Sequence, residues 1–324
     1  MKKLNTTALV LGISLFISMT PVLAKPAKKL DLGLEAGWRI DQLNWSISGV
    51  APSGNNVNIL SELRWENLLI AQVRGNARLT IDIPSSPFSP YARASLSYGE
   101  IYQGENQDSD YNNNNRQNEF SRSNNNSSQG NVLDASFGLG LQFSKKMPKM
   151  AQVFNITPLL GYSYHQQNLR MTDGLQTIDT RTASRLPRPI LGLDSRYATE
   201  WRGPWIGIDF STQTKLQHTF FASLEYHWLN YNAEANWNLR PDLAQPVSFT
   251  HSADGSGILA SLGWEQDLSS AWMITIKGDY LEWKTKTGID HIFASDGSSR
   301  VSQRLNRVTW ESYAFSLGLQ YRFQ

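Results

Sequence analysis

Asp108-Ser109-Asp110 sets two carboxylates one residue apart. They fall in the long polar stretch 103–131, which reads as a loop. Such a pair can help to position a water molecule for attack on a carbonyl. An imidazole is the usual partner for that chemistry, and the chain has five: His165, His218, His227, His251 and His291. His251 with Asp254, and His291 beside Asp290, stand near carboxylates in expected long loops, while Asp-x-His occurs nowhere. The same residues also read as solvated groups. Asp108 and Asp110 adjoin an Asn-rich tract at 111–130, and His251 reads as an exposed loop imidazole. Asp108, Asp110 and His251 are thus the catalytic candidates. The absence of Cys excludes thiolate nucleophiles, thiolate metal centres and disulfides. Gly-x-Ser-x-Gly, His-Glu-x-x-His and phosphate-loop patterns are absent as well. The residues point to no cofactor and no metal.

The elements that must position these groups are strands. At the C-terminus, Tyr313, Phe315, Leu317, Leu319, Tyr321 and Phe323 alternate with Ala314, Ser316, Gly318, Gln320 and Arg322. A period of two with one wholly apolar face is a strand between unlike surroundings. Taken alone, the segment also suits the edge of a soluble sandwich. With no helical layer to cover that face, lipid is the fitting partner. Strands in lipid require a closed barrel, because an open edge leaves backbone groups unpaired. The pattern recurs along the chain, as where Leu34, Trp38 and Ile40 oppose Glu35 and Arg39, or Leu133, Phe137 and Leu139 oppose Asp134 and Ser136.

The spacing predicts an all-β fold: a transmembrane up-and-down antiparallel barrel of about ten strands, one domain over 25–324. Short turns are expected near 83–88, 145–151, 212–217 and 267–271. Long loops are expected near 45–57, 103–131, 172–199, 233–254 and 287–306, the second being Asn-rich and mobile at its tip. Trp201, Trp205, Tyr226, Trp228, Tyr280 and Trp283 read as membrane girdles. The inward positions carry Glu35, Arg39, Arg74, Arg93, Glu225, His227, Lys277, Asp279, Gln320 and Arg322. Opposite charges there can pair and fill a narrow lumen.

The N-terminus reads as a cleaved secretory signal peptide: Lys2 and Lys3, an apolar run at 8–19, and Val22-Leu23-Ala24 as the exit, with cleavage after Ala24. Removing it takes away two Lys and no acids, so 30 basic residues fall to 28 against 28 acidic ones. A neutral chain makes no case for nucleic-acid binding. A mean hydropathy of −0.40 does not oppose a membrane location, because barrel strands alternate.

Four patches resemble the omptins, ten-stranded outer-membrane proteases of Gram-negative bacteria. They are Ser61-Glu62-Leu63-Arg64-Trp65, Leu160-Gly161-Tyr162, Glu200-Trp201-Arg202-Gly203-Pro204-Trp205 and Glu225-Tyr226-His227-Trp228. The order of segments is also similar to that of the Protochlamydia outer membrane proteins, relatives associated with porin-like roles. The omptin resemblance implies peptide hydrolysis by an Asp-x-Asp in the second outer loop and an Asp-x-His in the fourth. Asp108-Ser109-Asp110 matches the first pair. Counted from Trp228, the second pair falls on Ala235 and Trp237, neither of which can act as a base. The resemblance further implies lipopolysaccharide held by basic residues at the outer rim. Asp173 and Glu200 stand at the corresponding positions, with Arg170 and Arg202 nearby.

Two functions follow. One is a non-enzymatic outer-membrane barrel, either a narrow porin-like channel or a surface interaction barrel. The other is an omptin-type endopeptidase with a rearranged active site. Expected partners are outer-membrane lipid, lipopolysaccharide and the barrel insertion machinery, which reads a terminal strand rich in aromatics.

Overall fold

The computed structural model describes residues 27–84, 86–147, 152–214, 217–298 and 302–323. The signal-peptide segment and its cleavage point lie outside the described residues. The named elements are all strands: β1 (Ala27–Val50), β2 (Asn56–Asp82), β3 (Phe88–Asn113), β4 (Gln117–Asn126), β5 (Gly130–Met147) and β6 (Gln152–Asp179), then β7 (Arg188–Gln213), β8 (His218–Asn236), β9 (Phe249–Asp267), β10 (Trp272–Thr285), β11 (Gly288–Ile292) and β12 (Gln303–Phe323). Neighbours are antiparallel, and β1 closes the ring on β12 from Leu30↔Phe323 to Ser48↔Arg304.

Twelve elements make a barrel that is ten strands round at every height. In the lower part, which carries Ala27 and Phe323, β5 sits between β3 and β6, and β10 between β9 and β12. Higher up, β4 takes the place of β5 and β11 takes the place of β10. The two short strands are therefore continuations of the wall.

The alternation reverses phase along the barrel. Below, apolar side chains face out and polar ones face in: Leu317 is 51% exposed and Ser316 4%. Lipid contact on the outer face accounts for this. Above, the inward positions become apolar, with Leu43, Trp45, Leu63, Trp65, Tyr197, Tyr231 and Val308 all buried, while Gln42, Asn44 and Ser46 alternate between them. That upper part is packed like a soluble core, with water outside. Most of the expected long loops are accordingly strand. The gap between β1 and β2 shrinks to 51–55, and the one between β8 and β9 to 237–248.

Two bulges keep the inner face continuous. In β2, the register slips between Glu66 and Leu69, where Asn67 adopts a φ of 54°. Asn tolerates this left-handed conformation better than most residues. The extra residue lets odd-numbered Leu63 and Trp65 share the interior with even-numbered Ile70 and Gln72. Opposite it in β3, Tyr102 and Gln103 are both exposed, between buried Ile101 and Gly104. The switch turns Asp108 and Asp110 inward.

Part of the girdle expectation is corrected. Trp201, Trp205 and Trp283 are buried inside the barrel, whereas Tyr226 and Trp228 do face outward. Tyr280, also expected there, and three further tyrosines complete the upper rim, each donating to a glutamate: Tyr98 to Glu100, Tyr164 to Glu200 (3.1 Å), Tyr280 to Glu282 (3.2 Å) and Tyr313 to Glu311 (2.5 Å). The ring body stays in the apolar belt while the hydroxyl meets a polar group, as suits a membrane interface.

The Asn-rich tract is a hairpin built from β3 and β4. Asn58 bonds to Asn114 and Asn115, and Ser53 to the Asn112 carbonyl, which ties the hairpin tip to the β1–β2 turn.

Leu317→Arg is expected to destabilise the folded barrel by about 2–4 kcal/mol in liposomes, the cost of a charge on the lipid face near mid-membrane. Gln42→Arg, on the polar outer wall above, should cost almost nothing. Denaturant titration of both variants measures the difference, and equal costs would contradict the face assignment.

Candidate functional site

From the lower end upward, the interior has three levels. The lowest is a charged network. Arg39 donates to Asp41 (2.6 Å) and Asp134 (2.7 Å). Arg74 meets Asp279 at 2.7 Å, and Asp279 also holds Lys277 at 3.1 Å. Arg93 bridges Glu225 and Asp209, and Arg322 meets Asp31. Glu35 accepts from Ser316 and Asn76, and Gln320 donates to Glu265 and Thr275. His227 sits on Glu225 at 2.9 Å, with its other ring nitrogen 3.1 Å from the Ser163 hydroxyl. Buried charges are tolerated when paired and hydrogen-bonded in this way. Asp31, Asp41, Asp134, Asp209 and Glu265 join the network as well. Each falls on the polar face of an alternating strand, which is the signal that finds them.

The second level is a layer of indoles. Trp201, Trp283 and Trp310 each lie at 1% exposure or less. Trp283 meets Trp310 edge-on at 5.0 Å and Trp201 at 5.9 Å. His165 and His227 pack on Trp283 from below, at 4.6 and 5.0 Å. Trp310 donates to Asp41 at 3.0 Å, joining the layer to the charged network. Trp205 sits lower, where Gly138 and Gly161 make room for it: a Cβ at Gly161 would meet its ring at 2.3 Å.

The third level is a cavity of about 500 Å³ at the upper end. β3 supplies Asp108 and Asp110, β11 supplies Asp290, and the turn after β6 supplies Arg181. Trp237 and Arg240 come from the β8–β9 connection, and Trp45, Phe120 and Phe249 form apolar walls. Asp108 and Asp110 are thus neither in a loop nor freely solvated.

The residue model of the Protochlamydia outer membrane proteins matches positions 33–323. The chain belongs to the Protochlamydia outer membrane protein family. Among solved structures, this family member is similar to the outer membrane protease OmpT from Escherichia coli. The TM-score is 0.69 at 12% identity, covering 91% of this chain and 97% of that one. At that identity the likeness is one of fold. The outer membrane protein OprG from Pseudomonas aeruginosa (9% identity, covering 91% and 96%) and the translocator domain of autotransporter NalP from Neisseria meningitidis (11%, 90% and 88%) superpose loosely, at TM-scores of 0.31 and 0.34. No curated protein sequence matches. The chain is therefore an outer-membrane β-barrel.

The catalytic candidates of this Protochlamydia-type barrel do not converge. His251 lies on β9 and is buried: its Nδ1 is 2.7 Å from the Tyr197 hydroxyl and its Nε2 is 3.4 Å from Asp290. Trp45 and Phe249 cover the ring at 4.8 and 5.1 Å, so the imidazole does not line the cavity. Asp254, the partner suggested by sequence, points outward and accepts from Asn230. His291 bonds to Ser302 away from the site. Ala235 is buried in the inner wall, and the Trp237 indole lies against Phe249.

Burial, and then the neighbouring Asp110, push the Asp108 carboxyl well above the ordinary carboxylate range, while Arg240 and Arg181 pull it partly back. Burial raises Asp110 as well, and Ser61 opposes the shift. The folded state thus holds these protons more tightly than the unfolded chain. Stability should fall as pH rises from the ordinary carboxylate value through the raised one. Asp108→Asn is expected to remove this loss. The variant should be more stable than wild type at neutral pH and no different below about pH 4. Denaturant titrations across pH check it, and a variant no more stable at neutral pH would contradict the assignment.

Proposed function

We propose that this chain is a non-enzymatic outer-membrane barrel with a shut lumen and a ligand-holding cavity open to the cell exterior. The indole layer carries the reading. Trp201, Trp283 and Trp310 fill the cross-section between the charged lower lumen and the cavity, where a channel would need a continuous polar path. The lower end faces the periplasm on this reading, and the β3–β4 hairpin faces outward. Lipid contacts the apolar belt, and the terminal strand through Phe323 addresses the insertion machinery. Lipopolysaccharide would meet the rim at Glu200 and Asp173. There Arg170 is already bound to Asp194 at 2.5 Å, which favours a weaker attachment than a row of free cations would give.

An omptin-type endopeptidase is the second reading. Asp108, Asp110 and Asp290 lining one cavity favour it. Against it stands the lack of an imidazole there: the His251 side chain has 0% exposure.

Planar-bilayer recording tests the proposal. The wild-type barrel should insert without conductance steps at either polarity. Stable, porin-sized steps would overturn the shut-lumen reading.

A further inference from the structure

The cavity holds acids and bases at different depths. Asp290 is 2% exposed, and its Oδ1 accepts no hydrogen bond: the His251 Nε2 beside it lies 3.4 Å away, at the distance of an ion pair. Asp108 also has a shielded Oδ1 without a partner. A buried carboxylate oxygen that accepts nothing is costly, and a donor brought by a ligand would relieve that cost. Arg181 and Arg240 border the same cavity, but their side chains are 53% exposed, which places them at its mouth. Arg240 uses Nε and Nη2 on Asp242, and Arg181 uses Nε on Asp179. A guanidinium has five N–H donors, so each retains capacity for an anion. Trp237, Phe120 and Phe249 line the same cavity.

This order selects the ligand. A plain cation would have to pass two guanidinium groups, and a plain anion would meet buried carboxylates. No group of three His, Cys, Asp or Glu among the described residues is placed to hold a metal ion. We infer that the cavity binds a small zwitterion of amino-acid or dipeptide size, with its ammonium group against Asp290 and Asp108 and its carboxylate at Arg181 and Arg240. The cavity volume of about 500 Å³ lies within the range of small-molecule sites. The inference rests on the surface-binding reading and names the ligand class of that site.

The test is calorimetric titration of the full-length mature barrel, folded in detergent, with glycyl-leucine, its N-acetyl derivative and its C-terminal amide. The free dipeptide should bind saturably, and each blocked form should bind about tenfold or more weakly, as loss of one charge-assisted bond implies. Asp290→Asn should erase the preference for the free ammonium and keep the preference for the free carboxylate. Arg240→Gln, at the exposed mouth, should do the reverse without endangering the fold. Equal binding of the amide and the free dipeptide would overturn the zwitterion assignment, and so would the absence of saturable heat from all three at millimolar concentration. Release of glycine and leucine during the titration would instead overturn the non-enzymatic reading while leaving the ligand class intact.

Discussion

Replacing Trp283 and Trp310 together by alanine is expected to turn a silent barrel into a conducting one. These indoles meet at 5.0 Å in the middle of the lumen, and both are essentially inaccessible to solvent. Below them the inner wall is polar, so water can advance once the rings are gone. Trp→Ala in a packed interior costs about 3–5 kcal/mol, and two touching residues do not add simply. Trp310 also gives up its bond to Asp41 and the Arg39 guanidinium over its ring at 5.1 Å. The strand pairings that close the wall do not involve these side chains, so the barrel should still insert. Single-channel recording should show discrete steps for the double variant. Trp38→Ala, which changes only the lipid face, should stay as silent as wild type. A double variant that folds but does not conduct would place the block higher, at the stacked Trp65 and Tyr197.

The second large effect concerns hydrolysis. Wild-type protein should leave dibasic peptides intact, because the cavity offers carboxylates without an imidazole. Ala235→Asp combined with Trp237→His is expected to raise cleavage over wild type by about 10²–10⁴, the usual worth of a positioned acid or base. Position 237, just past the end of β8, already lines the cavity that holds Asp108 and Asp110, and residue 235 lies on the inner face of β8 two residues earlier. Adding Asp108→Ala to the double variant should abolish the gain. Wild-type cleavage that disappears with Asp108→Ala would make the non-enzymatic reading fall, and its loss with His251→Ala as well would make the buried His251 the base.

The charged lumen was legible from residue order because lipid contact enforces one simple rule. A strand with lipid on its outside must alternate, so Glu35, Arg39, Arg74 and Glu225 could be assigned inward by parity alone. The family resemblance and the loss of the Asp-x-His pair at Ala235 and Trp237 were legible in the same way, since both are questions of residue type at a counted position.

What the sequence by itself determined, then, was the barrel, its lipid face and the missing base. The tertiary structure decided where the barrel stops behaving as a membrane protein. Above the tyrosine rim water replaces lipid, the favourable outward face changes from apolar to polar, and the same strands carry Leu43, Trp45 and Tyr197 inward. Parity counting cannot detect this, because an alternating strand reads identically with either face outward. Nor can it place a bulge, and one extra residue near Asn67 and Gln103 is what turns Asp108 and Asp110 toward the cavity. Pairing of distant strands decided the rest. β9 lies beside β11, so His251 meets Asp290 and is sealed behind Trp45, a contact between residues that nothing in their local sequence brings together.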